Sequence, residues 1–427
     1  MFKKYIQKKL EKYVRQYFKK HPEVKLVVVA GSVGKTSTKI AIATVLSQRY
    51  KVRLHEGNHN TLLSAPLAIL GIDYPGRVKN FGAWLSVFRA ARSRIKSPSD
   101  VDVIIQELGI DEVGEMAQFG RFLLPDIAIV TAVTPEHMAA FQTIETVAQE
   151  ELMVAQFSKA VIINRDDIEG RFATYLTNSN LTTYGTSGIA EYRFVNEDFS
   201  LENGHSGFLV APELPDGIPA TIRVIGEHNL RPAIGAATVG LKLGLSAEEI
   251  TSGLQAIRPV HGRMNVLRGV ENTILIDDTY NSSPLAAALA LQTLYSLQVP
   301  QRIAVLGSMN ELGATSAPEH EKLGNMCDPN MLAWVITVGE EAERCLAPAA
   351  RAQGCQVKSF HNALEAGAFV HKILESGAAI LFKGSQGDIY CEEALKVVLH
   401  STEEEAQLVR QSQQWLRTKS NFFSKFV

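Results

Sequence analysis

The chain has 427 residues, 46% hydrophobic and 21% charged, with a formal net charge of −2. That length implies two or three domains with proper cores, and the near-neutral balance leaves no global footprint for nucleic acid. No apolar run is long enough to span a bilayer and no signal-peptide pattern opens the chain. The four cysteines form no C-x-x-C pair, so a cytoplasmic protein with reduced thiols is expected.

Residues 1–20 carry eight Lys/Arg and a single Glu, with Phe2, Tyr5, Ile6, Leu10, Tyr13, Val14, Tyr17 and Phe18 at helical spacing. The domain scheme therefore opens with a basic amphipathic helix over 1–23. Two readings fit it: an interfacial helix in weak contact with an anionic membrane surface, or a lead-in helix packed on the next domain. The second is taken. His21-Pro22 breaks the helix.

The apolar run Leu26–Ala30 reads as a buried parallel strand. It leads into Gly31-Ser32-Val33-Gly34-Lys35-Thr36-Ser37 and then a helix to about Ser47, the order strand, phosphate cradle, helix. Gly31 and Gly34 free backbone N–H groups to face an anion. Lys35 would meet the β- and γ-phosphates, with the Thr36 or Ser37 hydroxyl on Mg²⁺. Only two residues separate the glycines, shorter than the usual loop. Further strands are expected at 52–55, 103–107, 127–131 and 160–164, and shorter alternating segments between 190 and 225 predict an antiparallel edge on a mostly parallel sheet. Ser246 with Glu249 forms a capping-box pattern before the last helix of this central domain, 24–258.

Arg258–Gly262 reads as a linker. Beyond it, strands near 273–277, 302–307, 333–338 and 378–382 alternate with helices, giving a smaller Rossmann-like domain over 259–427. Its final stretch, 403–423, reads as one amphipathic helix. The fold class is thus α/β: a P-loop ATPase-type domain followed by a Rossmann-like one.

Several polar groups fall on the edge where parallel sheets bind ligands. Glu107 ends one strand and His137 follows the next, so a Mg²⁺ site beside the phosphate loop is expected. Gly57-Asn58-His59-Asn60 is a polar loop on that edge. Asn229 either caps a helix or meets a purine edge. In the second domain Asp277, Asp278, Tyr280 and Asn281 are candidates to clamp a nucleotide, although Asp-Asp followed by Asn-Ser-Ser-Pro is also good turn chemistry. Lys383-Gly384-Ser385 would add a cation and anion-binding amides.

Taken together, these motifs resemble the Mur ligase family of ATP-dependent amide ligases in peptidoglycan precursor synthesis, most of all the subfamily that adds D-alanyl-D-alanine to UDP-N-acetylmuramoyl-tripeptide. The short P-loop, Gly57-Asn58-His59-Asn60, Glu107-Leu108-Gly109, His137, Gly226-Glu227-His228-Asn229, Gly262-Arg263-Met264, the Asp277–Pro284 segment, the Ala304–Gly313 segment with Asn310, and Lys383-Gly384-Ser385 occur in the family's order. The resemblance implies ATP and Mg²⁺ as cofactors, an acyl-phosphate mechanism, and domain closure bringing Arg263 and Asp278 to the site. It implies catalytic roles for Lys35, Glu107, His137 and Arg263. It also implies nucleotide contacts from Gly31, Ser32, Gly34, Lys35, Thr36, Ser37, Asn229, Arg263, Asp278, Tyr280 and Asn281. Metal ligation falls to Thr36, Glu107 and His137, and substrate contacts to Asn58, Asn60, Asn310, Lys383 and Ser385.

Three departures from the family pattern stand out. With only a short stretch before the first strand, the family's UDP-sugar domain is expected to be absent. Counting from His137, the position of the family's carbamylated lysine is Glu151, and Glu151, or its neighbour Glu150, is expected to bring a carboxylate to the metal as a further catalytic residue. Ala132 and Gln386 replace the Asn and Arg common in relatives. The expected partners are a small-molecule or glycopeptide acceptor and an amino acid or dipeptide, with no nucleic acid, in a monomer or weak dimer. Two alternatives stay open: a ligase on a non-UDP acceptor, as in folylpolyglutamate-synthase-like relatives, or a non-catalytic ATP-binding scaffold of cell-wall assembly.

Overall fold

The β-branched run after His21-Pro22 forms the strand around which the first unit is built. In the computed structural model, which describes residues 2–55, 57, 59–76 and 81–426, β1 (Lys25–Ala30) is buried except at Lys25. It lies in a nine-stranded sheet with β2 (Val52–Leu54), β3 (Val103–Glu107), β4 (Ile127–Val130), β5 (Ala160–Asn164), β6 (Leu181–Gly185), β7 (Tyr192–Ser200), β8 (Gly204–Ala211) and β9 (Leu214–Ile222). The order is β2-β3-β1-β4-β5-β6-β7-β8-β9. Pairing is parallel from β2 to β7, and β7–β8 and β8–β9 are antiparallel. Completely buried β4, and β3 up to Gln106 and Glu107 at its end, fit the rule that parallel strands covered on both faces are continuously apolar. Strand β6 has no counterpart in the sequence reading, because Leu181-Thr182-Thr183-Tyr184-Gly185 is a short, largely polar segment with no sustained alternation. The antiparallel strands run longer than expected: their solvent-facing positions carry Asn, Glu, Asp and Pro, which hide the pattern.

By compactness the chain divides into two units. The first comprises residues 1–134, 140–223 and 229–257, the second 135–139, 224–228 and 258–427. In the first, α1 (Phe2–Lys20) buries Ile6, Leu10, Tyr13, Val14 and Tyr17. Side chains of that size contribute on the order of 10 kcal/mol together, as an upper bound from area burial. The stripe packs on α2 (Phe81–Lys96), a helix the sequence reading did not single out. Tyr13 meets Phe88 with ring centroids 6.0 Å apart, Tyr17 reaches Ser99 (3.2 Å) and His21 reaches the Ile95 carbonyl (3.2 Å), so the two helices run in the same direction. The lead-in reading of residues 1–20 therefore describes the packing found.

The helix Ala247–Ala256 opens on the expected capping box, with Ser246 accepting from the Glu249 N–H and the Glu249 carboxylate accepting from the Ser246 N–H. The second unit holds a six-stranded sheet of β10 (Asn265–Arg268), β11 (Ile274–Asp278), β12 (Arg302–Gly307), β13 (Trp334–Val338), β14 (Val357–Phe360) and β15 (Ala379–Lys383). Its order is β10-β11-β15-β12-β13-β14, parallel except for the β10–β11 edge pair. The 403–423 segment is not one helix. A 3₁₀ turn (Thr402–Gln407) and a helix (Gln413–Phe423) flank Arg410, whose φ of 57° breaks helical continuity. Arg410 is held there by a bidentate pair with the fully buried Glu392 (2.8 and 2.7 Å) and donates to the carbonyls of Tyr280 (2.9 Å) and Thr279 (2.6 Å). Lys419 completes the cluster at 3.4 Å from Glu392. Among the described residues, no helix is long and apolar enough to cross a membrane, and all four cysteines are free thiols.

Candidate functional site

The phosphate-loop sequence folds as its glycines require. Gly31 has φ +120° and Gly34 φ +85°, and a helix starts at Lys35. A Cβ at Gly31 would overlap the Thr131 hydroxyl and stand 2.8 Å from the Ala132 nitrogen. Thr131, at the end of β4, in turn donates to the Val33 carbonyl at 2.6 Å. Ser32 donates its N–H to the Ala132 carbonyl (2.9 Å) and accepts at its hydroxyl from the Thr134 N–H (3.1 Å). Lys35 folds back onto the carbonyls of Gly31 and Ser32. Thr36 and Ser37 lie half-buried on the first helical turn.

The β1–β3 register sets Glu107 beside Val29, at the same sheet edge as the loop. Glu107 is 4% exposed and surrounded by donors: Thr36 Oγ1 at 3.1 Å, Asn60 Nδ2 at 3.1 Å and the Lys39 ammonium at 3.3 Å. Burial alone would raise its pKa, but Lys39, Lys35, Asn60 and Thr36 outweigh it and hold the carboxyl below its ordinary value. Lys39 also donates to the Gly57 carbonyl at 3.1 Å, and Gln106 to the His59 carbonyl at 2.7 Å, fastening the polar loop to the strand end. Asn58 lies outside the described residues. Asn60 serves this carboxylate directly, and its backbone carbonyl accepts from the Gly109 N–H at 2.9 Å.

Glu151 is 2% exposed and accepts from the Gly31 N–H at 2.7 Å. Its neighbour Glu150 turns elsewhere, to the Gly114 N–H at 2.8 Å. Of the two carboxylates the sequence offered, the loop is thus touched by Glu151. An ionised carboxylate, Glu107, next to the Thr36 hydroxyl is a hard-oxygen pair that fits Mg²⁺, which binds through one or two protein oxygens and completes its shell with water and phosphate. Among the described residues no group of three or more His, Cys, Asp or Glu forms a metal cage, so Glu107, His137 and Glu151, all expected at the metal, are not gathered into one.

The second unit collects a separate set. His137 has φ +49° and places its ring nitrogens 3.2 Å from Glu311 and 3.7 Å from Glu136. The Arg263 guanidinium stacks over the Tyr280 ring at 4.2 Å. Gly262 and Met264 donate their N–H groups to Asp277 (3.0 Å) and Asp278 (3.2 Å), so this turn is clamped to the end of β11. Burial pushes the Asp277 carboxyl up to about 6. Asp278 pairs with Lys383 at 2.6 Å, and Lys383 also donates to the Asn281 carbonyl at 3.0 Å. Burial lowers the Lys383 pKa, against the pull of Asp278. Ser385 donates to the Ser282 carbonyl (3.4 Å) and accepts from the Asn310 N–H (2.8 Å), while the Asn310 side chain reaches Gly387 (3.0 Å). Lys383 and Ser385, expected to face substrate, are each 1% exposed and bonded internally, so in this structure they shape the loops. Asn229 is the N-cap of the helix Leu230–Lys242, without a capping bond from its side chain.

Lys39 and Thr131 escaped the sequence reading. A lysine on a helix ordinarily reads as solvated, yet Lys39 stands four residues after Lys35 and so on the same helix face. That spacing was the available signal.

A family model described as the Mur ligase middle domain matches residues 29–240, and one described as Mur ligase, glutamate ligase domain matches 262–386. The chain is 27% identical over 386 residues to the UDP-N-acetylmuramoyl-tripeptide–D-alanyl-D-alanine ligase of Bacillus subtilis, covering 88% of this chain and 76% of that enzyme. Its fold is similar to that of MurF from Acinetobacter baumannii, with a TM-score of 0.75, 21% identity, and 91% and 79% of the two chains covered. It is similar also to the MurF ligase from Thermotoga maritima solved in complex with ADP, with a TM-score of 0.74, 22% identity, and 93% and 84% covered.

Proposed function

This chain belongs to the Mur ligase family and is an ATP-dependent ligase using Mg²⁺, and we propose that it joins D-alanyl-D-alanine, or a similar amine, to the carboxylate of a muramyl-peptide acceptor. The observation that carries this reading is the edge on which the phosphate loop, Thr36, Glu107 and Glu151 meet. In such a reaction the acceptor carboxylate takes the γ-phosphoryl group of ATP to give an acyl phosphate and ADP. The amine then attacks the acyl carbon, and inorganic phosphate leaves as the amide forms.

The chain's own residues handle the charge of the first step. Lys35 exchanges its two loop carbonyls for phosphate oxygens, and the left-handed glycines present backbone N–H groups to the same anion. Lys39, Asn60 and Thr36 keep Glu107 ionised and fixed in orientation. Thr36 and Glu107 would hold Mg²⁺, which when bound would supply charge neutralisation for the transferred phosphoryl group. Glu151 steadies the first glycine of the loop and adds a carboxylate toward that cation. From the second unit we assign nucleotide contacts to Arg263 and Tyr280, with Asp278 and Lys383 holding their loop, and metal ligation to His137.

We place its site of action in the cytoplasm, with the protein a monomer or weak dimer. Incubation with ATP, UDP-N-acetylmuramoyl-tripeptide and D-alanyl-D-alanine should release phosphate only when all three are present. Release that ignores both the acceptor and the amine would overturn the assignment, and an acceptor panel including folates separates it from other amide ligases.

A further inference from the structure

A pronounced charge asymmetry lies on α1 and α2. Together these helices hold twelve Lys/Arg and one Glu in a chain whose net charge is −2. Seven of the eight basic residues of α1 are exposed, and on α2 so are Arg89, Arg92 and Lys96. Lys4, Lys8 and Lys12 recur every fourth residue and form one row along the helix. The apolar stripe of α1 is consumed in packing, so this helix does not insert as a free amphipathic segment. What it turns outward is the cationic side.

That side ends in a second feature. Because α1 and α2 run in the same direction, their N-terminal ends lie together, bridged by Lys9 over the rings of Tyr5 (5.4 Å) and Phe88 (5.2 Å). There Phe2 (40%), Tyr5 (49%) and Leu85 (41%) stand exposed. Cations in rows followed by aromatic and aliphatic side chains at one end match a bilayer interface, where phosphate headgroups overlie an apolar layer. A nucleic-acid duplex offers charge but nothing for that apolar trio. The acidic remainder of the chain would be repelled by the same surface and so would orient the molecule.

We propose that the paired α1–α2 face is a docking surface for an anionic lipid bilayer. The exposed Lys and Arg side chains meet the headgroups, and Phe2, Tyr5 and Leu85 enter the interface. The packed lead-in helix and a weak membrane contact are thus compatible, because α1 buries one face and turns the other outward beside α2. The docking surface is independent of the ligase chemistry.

The test is flotation of the full chain with phosphatidylglycerol-rich vesicles and with pure phosphatidylcholine vesicles. Binding is expected to the first and not the second, and to fall with salt. Reversal at Lys4, Lys8 and Lys12 to Glu, and separately Arg89→Glu with Arg92→Glu, should each weaken partitioning by about tenfold or more, since each surface cation contributes roughly a factor of five. Glutamine at the same positions should give intermediate losses, which keeps the test decisive if the reversals misfold. Phosphate release should be unchanged throughout, so failure here leaves the ligase reading standing. Equal binding to both vesicles, indifference to the Arg89 and Arg92 changes, or tighter binding of a duplex RNA probe than of the anionic vesicles would overturn the proposal.

Discussion

Replacing Lys39 by Met tests the electrostatics of the phosphate-loop edge. The Lys39 ammonium and the Glu107 carboxylate are 3.3 Å apart with side chains 3% and 4% exposed. At an effective dielectric constant of about 20, unit charges at that distance attract by roughly 5 kcal/mol. Removing one partner of a buried pair costs about 3–5 kcal/mol, because the other charge is left in low dielectric. Asn60 and Thr36 still donate to Glu107 after the change, and Lys35 still lowers its pKa, so the expected loss is about 3 kcal/mol, the low end of that range. For a unit of this size that is a fall in melting temperature of roughly 6–12 °C. The pH dependence has a definite sign. Glu107 has a depressed folded-state pKa, so the pair's stability is present above the unfolded-state carboxyl pKa and is lost as pH falls through the lower folded value. The gap between wild type and Lys39→Met should therefore be full at neutral pH and shrink in acid. Urea unfolding at both pH values measures it, and adding Glu107→Gln to Lys39→Met should restore part of the loss. A neutral-pH loss under about 0.5 kcal/mol, within what an ordinary surface change produces, or a gap that widens in acid, would refute the argument.

Other changes separate chemistry from folding. Lys35→Ala should lower ATP turnover by about a hundredfold or more and cost less stability than Lys39→Met, because Lys35 is half-buried, its ammonium donates to the Gly31 and Ser32 carbonyls, and the proposed reaction places its charge on phosphate. Gly31→Ala should cost about 3 kcal/mol by denaturation, from a strained backbone and a Cβ pressed against the end of β4. Glu151→Gln should reduce Mg²⁺-dependent turnover and raise the Mg²⁺ concentration needed for half-maximal rate; unchanged titration would remove Glu151 from the metal side. Deleting residues 2–20 should destabilise the first unit by several kcal/mol in a thermal melt, since it exposes the surface under five buried side chains. Point substitutions are therefore the cleaner probe of lipid binding.

How much of this was legible depended on whether a residue's role showed in its immediate neighbours. Strands β3, β5 and β12 fall on the residues expected from apolar runs, and the Ser246–Glu249 cap is a purely local pattern. The left-handed turns at Gly31 and Gly34 and the helix start at Lys35 were legible because strand, glycine turn and helix follow one another in consecutive residues. Lys39 was not, because its meaning depends on Glu107, a strand and two helices later in the chain. The internal commitments of Lys383 and Ser385 likewise depend on Asp278 and Ser282, about a hundred residues upstream. The break in the last segment was hidden for the same reason: Arg410 leaves the helical region to reach Glu392.

That last contact ties together parts of the chain that sequence keeps apart. Glu392 is compensated by two cations, Arg410 and Lys419, and Arg410 also grips the carbonyls of Thr279 and Tyr280. Loss of the final segment would strand a buried carboxylate and slacken the loop that bears Tyr280, so the chain's end works as a clasp on a loop about 130 residues away. Under the nucleotide role proposed for Tyr280, proteolytic trimming or a bulky fusion near Arg410 would then register as altered handling of nucleotide, although no residue removed need ever touch it.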